Sequence, residues 1–381
     1  MRIGIVGNYG NDNNGDEAIL LSLVKQVTST FNISTQQLTV FSNNPQQTSE
    51  RYGVDSFPLY YKKGNAAKTF FETFRQNKRI VKKLDLLIIG GGGILMDLYG
   101  REAPLYGSYA IMAKQSKTPY VIYGCGAGPL TSGLGKWFIR YMCKHAESVS
   151  VRDPESAALL QSIGVNKTVE VIGDPAFSLR EENASAKSAA PTKIGVTAVP
   201  YYNADYWPEG NPAIYKKYVE GMAKNLDELA TGRDVEITFF ATKFPQDANV
   251  TKDIQALMKE KAKTSIIDDN LLPSKILEVT EQQDIVIGTR LHSLILATCT
   301  QTPVIAIAYH HKVKDFMSLA NLDRFSFPID ELHDNDGWFL QAFNEMIADW
   351  DGTLKQTEQL SKRLYEEAMN GTVQFTDALK K

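Results

Sequence analysis

Met1-Arg2-Ile3-Gly4-Ile5-Val6-Gly7-Asn8-Tyr9-Gly10-Asn11-Asp12-Asn13-Asn14-Gly15-Asp16-Glu17 opens the chain. Ile3 to Val6 is a short, uninterrupted apolar run, the pattern of a strand covered on both faces in a parallel sheet. A loop of glycine, asparagine and acid follows, and a helical stretch runs from Ala18 to about Ser29. The same order recurs downstream. Leu38 to Phe41 reads as a second strand. Leu84 to Ile89 reads as a third, closed by Gly90-Gly91-Gly92-Gly93. Tyr120 to Tyr123 ends in Gly124-Cys125-Gly126-Ala127-Gly128-Pro129. Ser148 to Val151 leads into Arg152-Asp153-Pro154-Glu155-Ser156, and Val169 to Ile172 precedes Gly173-Asp174-Pro175. Strand, glycine-rich turn and helix in repetition predict a doubly wound parallel sheet.

From Glu181 to Pro191 the text becomes small and polar without periodicity, which predicts a linker. The pattern then restarts. Strands are expected at 193–198, 235–240, 265–267, 284–287 and 304–308. Helices are expected at 213–230, 251–261, 275–282 and 292–299, with one long helical stretch from Trp338 to Ala368. The reading is two Rossmann-like doubly wound α/β domains facing a cleft: residues 1–185, with the acceptor side, and residues 190–345. In open α/β sheets ligands bind outside the carboxyl ends of the strands.

The bulk numbers narrow the function. At 381 residues with a net charge of −3, the chain is long enough for two cores and shows no global basic field for nucleic acid. Cys125, Cys143 and Cys299 stand far apart without metal-ligand spacing, so they are expected as buried small hydrophobes in a reducing compartment. No apolar stretch approaches the ~20 residues of a membrane span. The first apolar run is too short for a signal peptide, so a cytoplasmic location is expected.

Six stretches carry the chemistry. The opening loop offers backbone N–H groups at a helix start, where Asp16 and Glu17 compete with any anion. Asn13, Asp16 and Glu17 suit either a capped turn or a sugar held through amide and carboxylate side chains. Gly91, Gly92 and Gly93 suit close backbone approach, to a ligand or to a neighbouring loop. In Gly288-Thr289-Arg290-Leu291-His292, a strand end followed by a helix start sets an arginine fork beside a proton-transfer imidazole. Lys312, after the next strand, is expected at the same edge as His292. His310 and His311 would point to opposite faces of an extended segment, so no metal is expected there. Arg152 ends a strand of the first domain, and Asp153-Pro154 reads as a helix N-cap with proline at the first position. Residues 62–83 hold eight lysines and arginines against Glu72, with phenylalanines between. That pattern suits an anionic membrane surface or a solvated helix with a buried stripe.

Taken together, Asn13 to Glu17, Gly90 to Gly93, Gly124 to Gly128, Ser150 to Asp153, Gly173 to Pro175, Gly288 to His292 and Lys312 make the chain resemble the polysaccharide pyruvyl transferases over nearly its whole length. The resemblance implies a fold like that of the two-domain GT-B glycosyltransferases, with residues 346–381 crossing back to the first domain. It implies an enzyme that moves a pyruvyl group from phosphoenolpyruvate to a sugar of a cell-envelope or exopolysaccharide, forming a ketal and releasing phosphate. The second domain would then hold phosphoenolpyruvate. Arg152, His292 and Lys312 match positions that the family uses around the donor; His292 is expected to transfer protons, and Arg290 is added as a donor cation from its chemistry alone. No cofactor is expected beyond phosphoenolpyruvate as co-substrate, and the acceptor sugar could be lipid-linked. Two alternatives stay open: a nucleotide-sugar glycosyltransferase of the same architecture, and a sugar-binding relative without catalysis.

Overall fold

The structure, a computed structural model, describes residues 1–182, 184–207 and 209–380. Asn183 of the expected linker and Lys381 of the expected last segment lie outside the described residues. The chain divides into two units. The first is Met1–Asn11, Asp16–Ser178 and Leu364–Lys381; the second is Asp12–Gly15 and Leu179–Arg363.

The first unit alternates strands and helices: β1 (Ile3–Val6), α1 (Asn14–Phe31), β2 (Leu38–Ser42), α2 (Pro45–Tyr52), β3 (Asp55–Pro58) and α3 (Ala66–Val81). It continues with β4 (Leu86–Leu95), α4 (Glu102–Ser116), β5 (Tyr120–Ala127), α5 (Gly133–His145), β6 (Val149–Val151), α6 (Pro154–Ser162) and β7 (Glu170–Val171). The strands pair in parallel in the order β3-β2-β1-β4-β5-β6-β7. Ile3, Ile5, Leu86, Leu87, Ile88 and Ile89 are fully buried, as continuous apolar strands covered on both faces must be. Each such side chain contributes roughly 1.5–3 kcal/mol relative to exposure.

The glycine run does not close its strand. β4 passes through Gly90–Gly93 and pairs with β5, which likewise runs on past Tyr123: Gly90 faces Tyr123 and Gly92 faces Cys125. Gly91 and Gly92 have φ of +72° and +73°, a conformation that glycine adopts without steric cost. A Cβ at Gly91 would stand 2.0 Å from Ile19 Cγ2, and one at Gly92 would stand 2.9 Å from Asp16 Oδ1. The run therefore lets α1 lie directly on the strand ends.

The second unit repeats the plan: β8 (Lys193–Thr197), α7 (Pro212–Ala230), β9 (Glu236–Phe240), α8 (Gln246–Leu257), β10 (Thr264–Ile267), α9 (Pro273–Glu281) and β11 (Ile285–Gly288). After these come α10 (Leu291–Cys299), β12 (Val304–Ala308), α11 (His311–Leu319), β13 (Ser326–Pro328), α12 (Trp338–Ala348), α13 (Trp350–Asn370) and α14 (Val373–Leu379). Its parallel order is β10-β9-β8-β11-β12-β13. Relabelled from its own first strand, this is 3-2-1-4-5-6, the order of the first six strands of the first sheet, which adds a seventh at its edge, so each sheet has a switch point beside its first strand.

Three boundaries differ from the sequence reading. The division falls at Ser178 and Leu179, before the expected linker, because that stretch is bound into the second unit. Glu181 donates its N–H to Cys299 O at 3.0 Å, and Lys187 Nζ donates to Glu281 O, Gln283 O and Thr302 Oγ1 at 2.7–2.8 Å. The stretch from 346 to 363 also stays with the second unit, where Trp350 Nε1 donates to Ser188 O at 2.8 Å. From Leu364 onward the chain packs on the first unit: Phe375 lies 4.5 Å from the Tyr123 ring, and Gln374 accepts from Ser150 and donates to Glu170. Finally, the single long helix is two. Asp349 leaves helical geometry at φ −138° and caps α13 by accepting from the N–H groups of Gly352 and Thr353.

Candidate active site

Around β1 and β4 the carboxyl edge of the first sheet carries amide and acidic groups, with Arg51 3.8 Å from Glu17. Asn8 Nδ2 donates to Asp16 Oδ2 at 2.9 Å, and Tyr9 OH donates to Gly90 O at 2.5 Å. Glu17, 1% exposed, accepts from Gly10 N at 2.8 Å and from Tyr52 OH at 2.6 Å. These bonds make Glu17 the clamp of the loop. Asp16 is buried beside Gly92, while Gly93 is half-buried. Cys125, in β5, has its thiol pushed up to about 12, first of all by burial, and so behaves as a small hydrophobe.

Arg152 follows β6 and is 7% exposed. It donates to Asp174 Oδ2 at 3.1 Å and to Asp153 Oδ2 at 3.3 Å. A Cβ at Gly126 would stand 3.0 Å from its Nε, so that glycine makes room for the guanidinium. Asp153 caps α6 by accepting from Ser156 N at 2.7 Å, with Pro154 at the first position, as the sequence predicts.

The second unit gathers cations at its edge. Arg290 is the N-cap residue of α10 and grips Asp247 with two nitrogens, Nε at 2.8–2.9 Å and Nη2 at 2.6 Å. Asp247 has no exposure, and it also accepts from Lys243 N at 2.9 Å. Arg290 Nη1 reaches Tyr206 OH at 3.3 Å, and Lys243 Nζ lies 4.8 Å from the Tyr206 ring centre. Burial alone would raise the Tyr206 phenol, but Arg290 and then Lys243 bring it below its ordinary value. For Arg290 itself burial opposes the charge, and Asp247 more than offsets this. Ser293 ties the turn together: it accepts from Thr197 Oγ1 at 2.8 Å and donates to Arg290 O at 2.7 Å.

His292 lies in the first turn of α10, after β11, and Lys312 in the first turn of α11, after β12. Since β11 and β12 are parallel neighbours, both residues stand at one sheet edge, beside two helix N-termini. The His292 ring packs on Gly15, where a Cβ would come within 2.4 Å of Nδ1. The same loop continues along the end of β9: Asn13 bridges Lys243, and Asn14 N donates to Thr242 O at 3.1 Å. His310 and His311 do not face apart as expected. His310 caps α11, its Nδ1 accepting from Lys312 N at 3.3 Å, while His311 begins the helix, and their rings lie 4.1 Å apart. Among the described residues no group of three His, Cys, Asp or Glu side chains is placed to hold a metal ion.

The sequence reading missed Asn8, Tyr206, Lys243 and Asp247. It started the helix of Asp247 at Thr251, whereas α8 begins at Gln246 and brings Asp247 into its first turn. The tetrapeptide Phe244-Pro245-Gln246-Asp247, with a proline before an acid, was the available signal of a helix start.

Two parallel sheets with one strand order, each ending in a polar edge, define a two-domain α/β protein of the GT-B type. Solved structures agree on that fold. Anabaena HepE in complex with UDP-glucose is 13% identical with a TM-score of 0.63, over 100% of this chain and 99% of that one. MnaA of S. aureus in complex with UDP is 13% identical with a TM-score of 0.58, over 94% and 91%. The chain belongs to the polysaccharide pyruvyl transferase family, whose model matches residues 13–311. It is also similar to the amylovoran biosynthesis protein AmsJ of Erwinia amylovora, 22% identical over 426 aligned residues that span 100% of this chain and 99% of that protein.

Proposed function

We propose that this chain transfers the pyruvyl group of phosphoenolpyruvate to two hydroxyls of one sugar in a cell-envelope or exopolysaccharide, releasing phosphate and leaving a ketal. The observation that carries the reading is the edge of the second sheet, where Arg290, His292 and Lys312 meet two helix N-termini. A small dianionic or trianionic donor needs such a concentration of positive potential. His292 is the proton-transfer group. It gives the methylene carbon a proton and regains one from the first hydroxyl as that oxygen bonds C2; the C2–O bond to phosphate then breaks, and the second hydroxyl closes the ketal while its proton leaves with the phosphate. Lys312 meets the phosphate or the carboxylate as a point charge. Arg152 and Arg290 act through charge that buried carboxylates hold in place. Asn13, Asp16 and Gly91–Gly93 belong to the acceptor in this reading. The scheme needs no metal or other cofactor. A lipid-linked acceptor would bring the protein to a membrane face, as a peripheral protein of the cytoplasm.

A nucleotide-sugar transferase is the second reading, favoured by the fold likeness to HepE, which was solved with UDP-glucose. Thermal shift separates the two, because a ligand of the native state raises the melting temperature by mass action. Phosphoenolpyruvate should raise it and UDP-sugars should not. Acceptor-dependent phosphate release, with a pyruvate ketal on the product by mass, should fall about 10²–10⁴-fold in His292→Ala. A shift with UDP-sugars alone, and no phosphate release across a broad acceptor panel, would overturn the donor assignment.

A further inference from the structure

In the first unit, α4 packs between α3 and α5. Asn77 of α3 donates to Tyr109 of α4 at 2.8 Å, and Gly107 of α4 receives the ring of Phe138 from α5. Each helix links two parallel strands and so runs antiparallel to them, which brings all three N-terminal ends to the carboxyl edge of the sheet. Those ends are unusually apolar. The four most exposed large apolar side chains among the described residues are Phe71 (71%), Tyr99 (67%), Leu134 (60%) and Leu98 (56%). Phe70 and Trp137 stand beside them, also exposed. Asp97 ties the Leu98–Tyr99 loop to the start of α5 by accepting from Thr131 N at 2.8 Å and Ser132 N at 2.6 Å.

Cations are interleaved with these side chains: Lys62, Lys63 and Lys68 around the start of α3, Arg101 at the N-cap of α4, and Lys136 in the first turn of α5. Neither α3 nor α5 has an acid in its first turn. Positive charge at a helix N-terminus opposes the macrodipole, so helix stability does not explain the placement. The nearby acids are engaged. Arg75 holds Glu72 at 2.7 Å, Asp97 is buried, and Glu102 accepts from Tyr99 N at 3.2 Å. A protein-binding patch typically has an apolar centre depleted in lysine. Alternating aromatic and lysine side chains fit the interfacial zone of an anionic bilayer instead.

We propose that this three-helix rim docks on an anionic phospholipid surface. Phe70, Phe71, Leu98, Tyr99, Leu134 and Trp137 enter the headgroup boundary, and the lysines and Arg101 meet lipid phosphates. The basic run at 62–83 supplies only one of the three contributing segments. It meets the membrane by its tip and does not lie flat, because further along α3 Thr73, Asn77 and Val81 are buried while Phe74 and Ile80 pack on the core. The surface stands independently of the donor assignment.

Flotation of the full chain with phosphatidylcholine vesicles, with and without phosphatidylglycerol, tests this without any turnover. The chain should float with the phosphatidylglycerol vesicles. Combining Lys62→Glu, Lys63→Glu and Lys68→Glu should weaken partitioning by at least about fivefold per reversed charge. Combining Phe71→Ser and Leu134→Ser should abolish it, with an unchanged melting temperature because both side chains are exposed. Brominated lipid should quench fluorescence in the parent protein and lose that component in Trp137→Phe. No flotation of the parent protein with phosphatidylglycerol vesicles, or undiminished flotation of both combined variants, overturns the proposal.

Discussion

The two sheets share one strand order, yet their switch points carry opposite charge. Beside β1 and β4, the loop from Gly7 to Glu17 contains no lysine or arginine, and its polar groups are Asn8, Asp16 and Glu17 around a bare glycine ladder. Beside β8 and β11 stand Arg290 and Lys243, converging on Tyr206, with Asp247 buried beneath. The backbone frame is neutral to this choice. What each edge can hold is decided by a few side chains that follow the strand ends. An acidic, amide-lined edge can accept hydrogen bonds from hydroxyls; an edge of held cations can hold an anion.

The comparison can be broken at its strongest point first. Asp247→Ala leaves Arg290 buried without its carboxylate and should cost about 3–5 kcal/mol in chemical denaturation. Asp16→Ala, the matching cut in the first unit, should cost only about 0.5–1.5 kcal/mol for its bond from Asn8. Equal costs would mean that the Asp247 carboxylate is no more committed to a buried charge than Asp16 is. Next in size is Gly15→Ala. Its Cβ would come within 2.4 Å of the His292 ring, so the ring must move; a misplacement of that order costs about 10²-fold in kcat, beside about 1–3 kcal/mol of destabilisation from the overpacking. Gly91→Ala should destabilise by about 1–3 kcal/mol through overpacking against Ile19, read as a lower denaturation midpoint. The smallest effect is Tyr206→Phe. The folded phenol ionises below the ordinary value of 10.0, so the unfolded chain binds more protons between the two values. The advantage of tyrosine over phenylalanine should therefore grow as pH rises toward 10, be complete above it, and fade as pH falls through the folded value. Parallel urea melts across that range would show it.

Much of the frame was legible because buried parallel strands read as unbroken apolar runs: Ile3–Val6 and Val304–Ala308 match the sequence reading residue for residue. The local signals of Asp153 and Pro154 were equally direct. What escaped depends on partners distant in sequence. Asp247 and Arg290 are 43 positions apart and Tyr206 and Arg290 are 84 apart, so no window of sequence shows that they meet. The glycine run misled for a related reason. Gly90–Gly93 reads as a turn by itself, and only its pairing with β5, which is glycine-rich at the same level, keeps it extended.

The burial of Arg290 and Asp247 has a consequence for ionic strength. At physiological salt the screening length is about 8 Å, and it acts on charges in contact with solvent. A pair with 14% and 0% side-chain exposure lies largely beyond its reach, whereas Lys62, Lys63 and Lys68 are open to it. Raising salt should therefore strip the protein from charged lipid while leaving the Arg290 edge assembled, so that one bath variable separates where the chain resides from what it can hold.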